Sequence, residues 1–382
     1  MKLVVTSGGT AGHVYPALAV ADYLSRAGHE VVFAGSTSGM EAKLVAQTDL
    51  EYVAFEARGF SRQNPLTLLT STMLLAKSTR AATSWLNTVR PQAVAAFGGY
   101  VSVPVGRAAI RKSIPLVVHE QNSALGWANR YLAKHASAVA LSYRLSSDEL
   151  HSVDPARINI TGNPVRAEFA RIANPDYARE LRTRFIRDLS IPAEATVLLV
   201  FGGSQGARHI NTAMVGLARA IVARSNWYVI HLTGKNEFDT VKSQLDEQLG
   251  DNTQDRKRWK LLDYCDQMPA AFATAELVLA RAGASSLAEI AAAQLPALLI
   301  PYPYATNNHQ EKNAAALVQV GAAVMVLDSM LDSPRFAQQL FALMDDVDVR
   351  RQMRTAAAGL GAMSATAAVA ELIVRSAQKS QG

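Results

Sequence analysis

The feature that most constrains this sequence is a local pattern that occurs twice: a short apolar run, a glycine turn, then the start of a helix. Residues 1–12 carry it around Ser7-Gly8-Gly9-Thr10, and residues 197–212 carry it around Gly202-Gly203-Ser204-Gln205-Gly206. Each copy opens a series of short apolar runs. The first series is Leu3–Thr6, Val31–Ala34, Ala93–Phe97, Leu116–His119, Ala138–Leu141 and Ile158–Thr161. The second is Val197–Phe201, Val229–Leu232, Leu261–Tyr264, Leu277–Ala280 and Ala297–Ile300. These runs are continuous rather than alternating, as strands are when helices cover both faces of a sheet. Helical patterns separate them, which predicts parallel βαβ units. Ala17, Val20, Ala21 and Leu24 show the helical period behind the first turn, and Gly28 supplies the stop.

The repeat predicts an α/β chain of two Rossmann-like, doubly wound domains with a cleft between them. A length of 382 residues suits two cores better than one. Gly162-Asn163-Pro164 closes a strand and a polar, Arg-rich stretch follows, which places the boundary there. The expected domains are residues 1–163 and 164–345, with 346–382 forming helices that pack back on the first domain. Ligand sites in such sheets lie at the carboxyl ends of the strands.

Composition narrows the class. Hydrophobic residues make up 49% of the chain, enough for large cores, yet no apolar run is long enough to span a bilayer. The N-terminal MKLVVTSGGT is shaped like a first strand rather than a signal peptide, and the single Cys265 has no partner for an intramolecular disulfide. Both point to the cytoplasm. The net charge of +6 suits nucleic acid, an anionic membrane or phosphorylated substrates without choosing among them. Its densest basic run, Asp255–Lys260, reads as a solvated turn, and the absence of zinc-finger spacing or a ribonucleoprotein motif argues against nucleic acid.

Glycine pairs close three of the runs: Gly8-Gly9, Gly98-Gly99 and Gly202-Gly203. A glycine there lets the backbone approach a ligand, while the following helix presents unpaired N–H groups to an anion. One such turn is uninformative, but three favour a phosphate or sugar. Gly9-Thr10-Ala11-Gly12 is not the dinucleotide fingerprint, and Gly234-Lys235 lacks the upstream glycine of a P-loop. Asp346-Val347-Asp348 sits in a late polar helical segment far from any strand end, so it reads as surface rather than as a metal site. No metal and no cofactor are expected.

Several side chains have two readings. His13 is either a general base at the mouth of the cleft or a partner of its own loop. Ser286 and Glu289 form a capping box, with Glu289 alternatively holding a ribose diol. Gln310 stands in the first turn of a helix begun by Asn307 or Asn308. His119-Glu120-Gln121-Asn122 is unusual packing material for the end of a buried strand and favours a site. Arg166 is suited to a phosphate, a carboxylate or a hinge ion pair. Leu68, Leu69 and Met73 read first as core, and otherwise as a membrane-facing patch beside Lys77 and Arg80.

Taken in order, six segments resemble the motifs of the MurG family of glycosyltransferases. They are Gly8–Pro16, Gly98–Ser102, His119–Asn122, Gly162–Arg166, Gly202–Ala207 and Ala284–Glu289, and the resemblance runs to about residue 325. It implies the GT-B fold and inverting transfer of N-acetylglucosamine from UDP to the 4-hydroxyl of muramic acid in lipid I, giving lipid II at the cytoplasmic face of the cell membrane. It implies that His13 lies near the reacting centre; a base must take the hydroxyl proton, for which His13 is the first candidate and Glu120 the second. Thr10, Ala11, Gly12, Asn122, Arg166, Ser204, Cys265, Ala284, Ser285, Ser286, Leu287, Ala288, Glu289 and Gln310 are the implied donor set. Gly98, Gly99, Tyr100 and Ser102 are implied to face the acceptor. Ala11 stands where a glycine is common, and Cys265 where an aliphatic residue is frequent. The implied partners are UDP-N-acetylglucosamine, lipid I and an anionic membrane surface. The rivals are another lipid-directed transferase, a UDP-sugar epimerase, and a binding protein without turnover.

Overall fold

The structure, a computed structural model, describes residues 1–57, 65–145, 147–203, 206–224, 226–250, 253–360 and 364–379, without the side chains of 65–71, 147 and 253. It divides into two compact units, Met1–Arg166 with Ala362–Gly382, and Ala167–Gly361.

The first unit holds β1 (Lys2–Thr6), β2 (Glu30–Ser36), β3 (Glu51–Phe55), β4 (Ala93–Ala96), β5 (Leu116–Glu120), β6 (Ala138–Leu141) and β7 (Ile158–Ile160). They form one sheet in the order β3-β2-β1-β4-β5-β6-β7. The second unit holds β8 (Thr196–Phe201), β9 (Trp227–Leu232), β10 (Trp259–Leu262), β11 (Leu277–Ala280), β12 (Ala297–Leu299) and β13 (Ala323–Met325), in the order β10-β9-β8-β11-β12-β13. Every strand pairing among the described residues is parallel: Leu3 lies opposite Val31 and Ala93, and Leu198 opposite Val229 and Leu277. In each sheet the chain reverses its direction of travel at the central pair, β1/β4 or β8/β11. A crevice therefore opens at the carboxyl ends of those strands.

Burial explains the continuous apolar runs. In β1, Leu3 and Val5 join one core with Phe33, Phe97, Val20 and Ile373, while Val4 joins the other with Val32, Val94, Leu86 and Leu132. Both faces of the strand are covered, so no polar alternation is needed. The helix Ala365–Lys379 packs against the helix Ala11–Arg26 and against β4 to β6. Thr366 fastens it: its Oγ1 accepts from Val165 N at 3.1 Å and donates to Val165 O at 3.0 Å.

Four expectations need correction. The segment 346–382 does not pack as one piece on the first unit, because the helix Val347–Ala358 stays in the second against Ala284–Ala292 and Pro334–Asp345. Strands β3 and β13 have no counterpart among the expected runs. Both are edge strands with partly exposed residues, so neither carries a continuous apolar signature. Strand β10 starts at Trp259, which is 1% exposed, rather than at Leu261. The basic run before it is not a simple turn: Thr253–Lys257 is helical, and Arg256 pairs with Asp246 at 2.6 Å.

Candidate active site

Four helices follow the central strands of the two sheets: Ala11–Arg26 after β1, Ser102–Arg111 after β4, Arg208–Gly216 after β8 and Ala284–Ala292 after β11. None has a side-chain cap and none has an acidic residue in its first turn. Some peripheral helices differ, since Met40–Val45 carries Glu41, Phe238–Leu249 carries Asp239 and Val347–Ala358 is capped by Asp346, whereas Trp127–Ala133, Met268–Thr274 and Pro334–Asp345 also lack both. Helix N-termini attract negative charge and normally receive it from the chain. At both crevices the first turn brings no negative charge of its own, which suits an anion from outside.

In the first unit the turns after β1 and β4 fit against each other. Gly99 has φ +82, and a Cβ there would lie 2.1 Å from Gly8 O, so the two backbones meet at a distance that only glycine allows. Gly98 has φ +94, and a Cβ there would lie 2.8 Å from His13 Cδ2, so the imidazole packs directly on this turn. Thr10 forms the N-cap position, yet its Oγ1 contacts His13 Nδ1 at 2.9 Å instead of capping the helix. That contact orients the ring and is compatible with both readings of His13. Ala11 opens the helix in ordinary helical conformation, so the missing glycine costs nothing there. Ser102 is fully buried and donates to Gly98 O at 2.6 Å and, less closely, to Thr6 O, so it pins the turn from below. Tyr100 is 45% exposed.

The polar end of β5 separates into supports and a contact residue. His119, Glu120 and Gln121 are each 1% exposed. Burial, with a smaller contribution from the charge of His13, lowers the His119 pKa to about 4, and a backbone contact to Gly162 only partly opposes this. His119 is therefore a neutral structural group at neutral pH. Glu120 accepts from Asn122 N at 3.0 Å and Asn122 Nδ2 at 3.2 Å on one oxygen. Its other oxygen accepts from Gly126 N and Asn129 Nδ2, both at 2.9 Å. With both oxygens committed to the loop, Glu120 holds Asn122 in place. Arg166 lies over the Tyr15 ring at 4.4 Å, within the same unit.

In the second unit the helix after β11 begins at Ala284 with Gly283 as its N-cap. The capping box expected at Ser286 and Glu289 is therefore not formed: the glycine starts the helix earlier, Ser286 falls inside the first turn, and Glu289 lies one turn further on. Gln310 Oε1 accepts from Ala282 N at 3.1 Å and Tyr302 N at 3.0 Å. The side chain thus ties the end of β11 to the end of β12 and aims its amide nitrogen away from both. The helix His309–Gln319 that carries it follows Asn307 and Asn308, both in left-handed conformation. Cys265 lies three residues past β10, 8% exposed, and burial raises its thiol pKa, so a contact through its backbone needs no thiolate. Ser204 lies outside the described residues. Among the described residues there is no group of three or more His, Cys, Asp or Glu side chains able to hold a metal ion.

Residues 3–141 match the glycosyltransferase family 28 N-terminal domain, and residues 197–372 match the C-terminal domain of the same family. A UDP-N-acetylglucosamine–N-acetylmuramyl-(pentapeptide) pyrophosphoryl-undecaprenol N-acetylglucosamine transferase from Halothermothrix orenii is 37% identical over 361 residues. That alignment spans 94% of this chain and 95% of the relative. The chain belongs to this transferase family. The crystal structure of MurG from Acinetobacter baumannii superposes with a TM-score of 0.72 at 25% identity, covering 98% of this chain and 99% of that one. The UDP-GlcNAc 2-epimerase of Neisseria meningitidis gives a TM-score of 0.70 at 13% identity, covering 98% and 100%. That likeness is one of fold alone, so sequence rather than architecture separates the two groups. The fold is GT-B.

Two residues of the transferase's crevices were not singled out from sequence. Asn129 is 2% exposed and spans His119 O and Glu120 Oε2, both at 2.9 Å. It sits inside a short helix where nothing in the local pattern marks it. Arg281 follows β11 directly, pairs with Asp328, and donates to Ile300 O at 3.3 Å and Pro301 O at 3.2 Å. A charged residue at the end of a buried apolar run, two before a glycine-led helix, was the available signal.

Proposed function

We propose that this transferase moves N-acetylglucosamine from UDP-N-acetylglucosamine to the 4-hydroxyl of muramic acid in lipid I, with inversion at the anomeric carbon, forming lipid II. The observation that carries the reading is the set of four uncapped, acid-free helix N-termini at the two crevices. The reaction has two diphosphates to accommodate, one on each substrate. In the second unit the donor's uracil meets the backbone of Cys265, and Glu289 takes the ribose hydroxyls. The turn Ala284–Leu287, with Ser204, faces the diphosphate. Gln310 offers its remaining amide donor to the sugar, which Asn122 also contacts, and Arg166, Thr10, Ala11 and Gly12 complete the donor set. Gly98, Gly99, Tyr100 and Ser102 face the acceptor diphosphate, with Ser102 acting by holding the turn.

As the glycosidic bond breaks, negative charge grows on the departing UDP. Fixed N–H groups and the helix dipole stabilise it without reorganising, so metal is dispensable. His13 takes the proton of the attacking hydroxyl while Thr10 and Gly98 hold its ring. The test is kcat of His13→Ala. A loss of about 10²–10⁴-fold is expected for a base. A loss of only a few-fold assigns the proton to another acceptor.

The acceptor's lipid tail requires the first unit to work against a bilayer, which we place at the anionic cytoplasmic face. No helix among the described residues is long and apolar enough to cross a membrane. Met73 is 65% exposed, so it does not belong to the core as its sequence context suggested. Leu68 and Leu69, on the same helix Pro65–Val89, have side chains outside those described. Further along this helix a cavity of about 410 Å³ is lined by Arg80, Arg107 and Arg111 and by no acidic residue. An exposed apolar side chain beside clustered cations suits an anionic lipid surface.

A further inference from the structure

His209 is the second residue of the helix Arg208–Gly216, directly behind the glycine turn of β8. Its Nδ1 lies 2.7 Å from Asp328 Oδ2 and its Nε2 lies 3.1 Å from Asp332 Oδ2. Asp328 begins the short turn Asp328–Met330 after β13, and its other oxygen pairs with Arg281. Arg281 is itself bound to the carbonyls of Ile300 and Pro301 after β12, with its guanidinium 5.6 Å from the Tyr302 ring. One carboxylate is thus shared by a histidine at the end of β8 and an arginine at the end of β11. The cluster joins the ends of β8, β11, β12 and β13.

Both ring nitrogens face carboxylate oxygens. Only the imidazolium has two N–H groups to give, whereas a neutral ring sets a lone pair against one of the acids. Arg208, the neighbour on the same helix, is turned to Glu237 at 2.8 Å and does not compete. Donating to Asp328 and to Asp332 raises the pKa of the ring, and burial opposes this only in part. With the ring protonated, His209, Arg281, Asp328 and Asp332 sum to zero. Without that proton the cluster carries one net negative charge, two residues from the N-cap of the helix Ala284–Ala292.

We propose that His209 is a positioning residue for donor binding, which as imidazolium holds Asp328 and Asp332 and leaves the Arg281 guanidinium to favour the donor diphosphate at the adjoining helix N-terminus. The inference rests on the donor lying in the second unit. Loss of the proton frees Asp332 and adds a negative charge beside the diphosphate, which is doubly esterified and keeps its own charge. Donor affinity therefore falls as pH rises through the raised His209 pKa, while the chemical step is affected less.

The experiment is KM for UDP-N-acetylglucosamine and kcat from about pH 6 to about pH 8.5 for the wild type, His209→Gln and Asp332→Asn. The wild-type KM should rise about five- to tenfold across the range. His209→Gln should be flat in pH at the high value, and Asp332→Asn should move the inflection to lower pH. A purely structural role would not move the inflection. A wild-type KM independent of pH, or a His209→Gln variant that keeps the wild-type profile, overturns the inference and leaves the donor assignment standing. Absence of saturation by UDP-N-acetylglucosamine at every pH overturns the donor assignment and this inference with it.

Discussion

At the scale of single residues, burial rather than residue type decides which polar groups do chemistry. His13 lies in the first turn of the helix after β1 and His119 in β5, and His119 is sealed in and held neutral with a pKa of about 4. His231, buried in the second core and contacting Asn211 Oδ1 at 3.0 Å, is held near about 3. Both values lie below that of an unfolded histidine, so below about pH 6.5 the unfolded chain binds more protons than the native one. Stability is therefore full above that pH and is lost as the pH falls toward the native values, by at most about 1.4 kcal/mol per unit per histidine. Urea unfolding at pH 7, 6 and 5 should show this loss, and His231→Gln should flatten part of it. An unfolding midpoint unchanged over that range would contradict the neutral assignment. Sequence marked His119–Asn122 as a candidate site but gave no means of telling which of its side chains are spent on holding the loop, since that depends on the donors that surround Glu120. The His209–Asp328 pair was equally hidden, its members lying 119 positions apart.

At the scale of elements, the turns carry the function and their glycines the geometry. Gly99→Ala must place a Cβ against Gly8 O while holding φ at +82, so both turns have to shift. Positive φ on a non-glycine residue costs about 1 kcal/mol or more by itself, and the clash adds to it. We expect a loss of stability of about 2–4 kcal/mol and a drop in turnover larger than that of Gly9→Ala, whose Cβ would meet nothing within 4 Å. Comparable behaviour of the two variants in denaturation and kinetics would mean that the contact between the turns is not needed. The elements themselves were largely legible. Central strands, covered on both faces, announce themselves as unbroken apolar runs, whereas the edge strands β3 and β13 are part-exposed and carry no such mark. The start of the helix Ala284–Ala292 was misread because Ser286 and Glu289 mimic a cap, while Gly283 at the N-cap begins the helix earlier and has no side chain to cap it.

For the whole molecule, both units repeat one strand order, and the two copies of the strand–glycine–helix pattern were enough to foresee it. The boundary at the C-terminus was less legible, because the helices Val347–Ala358 and Ala365–Lys379 are both amphipathic and only their contacts assign them to different units. The membrane reading belongs to this scale as well. Replacing Leu68, Leu69 and Met73 together by serine should weaken binding to vesicles containing phosphatidylglycerol, with turnover of a water-soluble acceptor preserved. Unchanged vesicle binding would rule this patch out.

Transfer to lipid I is best tested by release of UDP from UDP-N-acetylglucosamine in EDTA, with and without a lipid I analogue. Release should depend on the acceptor and survive the chelator. Release without acceptor, or none with it, would contradict transfer to lipid I, and release abolished by EDTA would contradict a leaving group stabilised by helix N-termini alone.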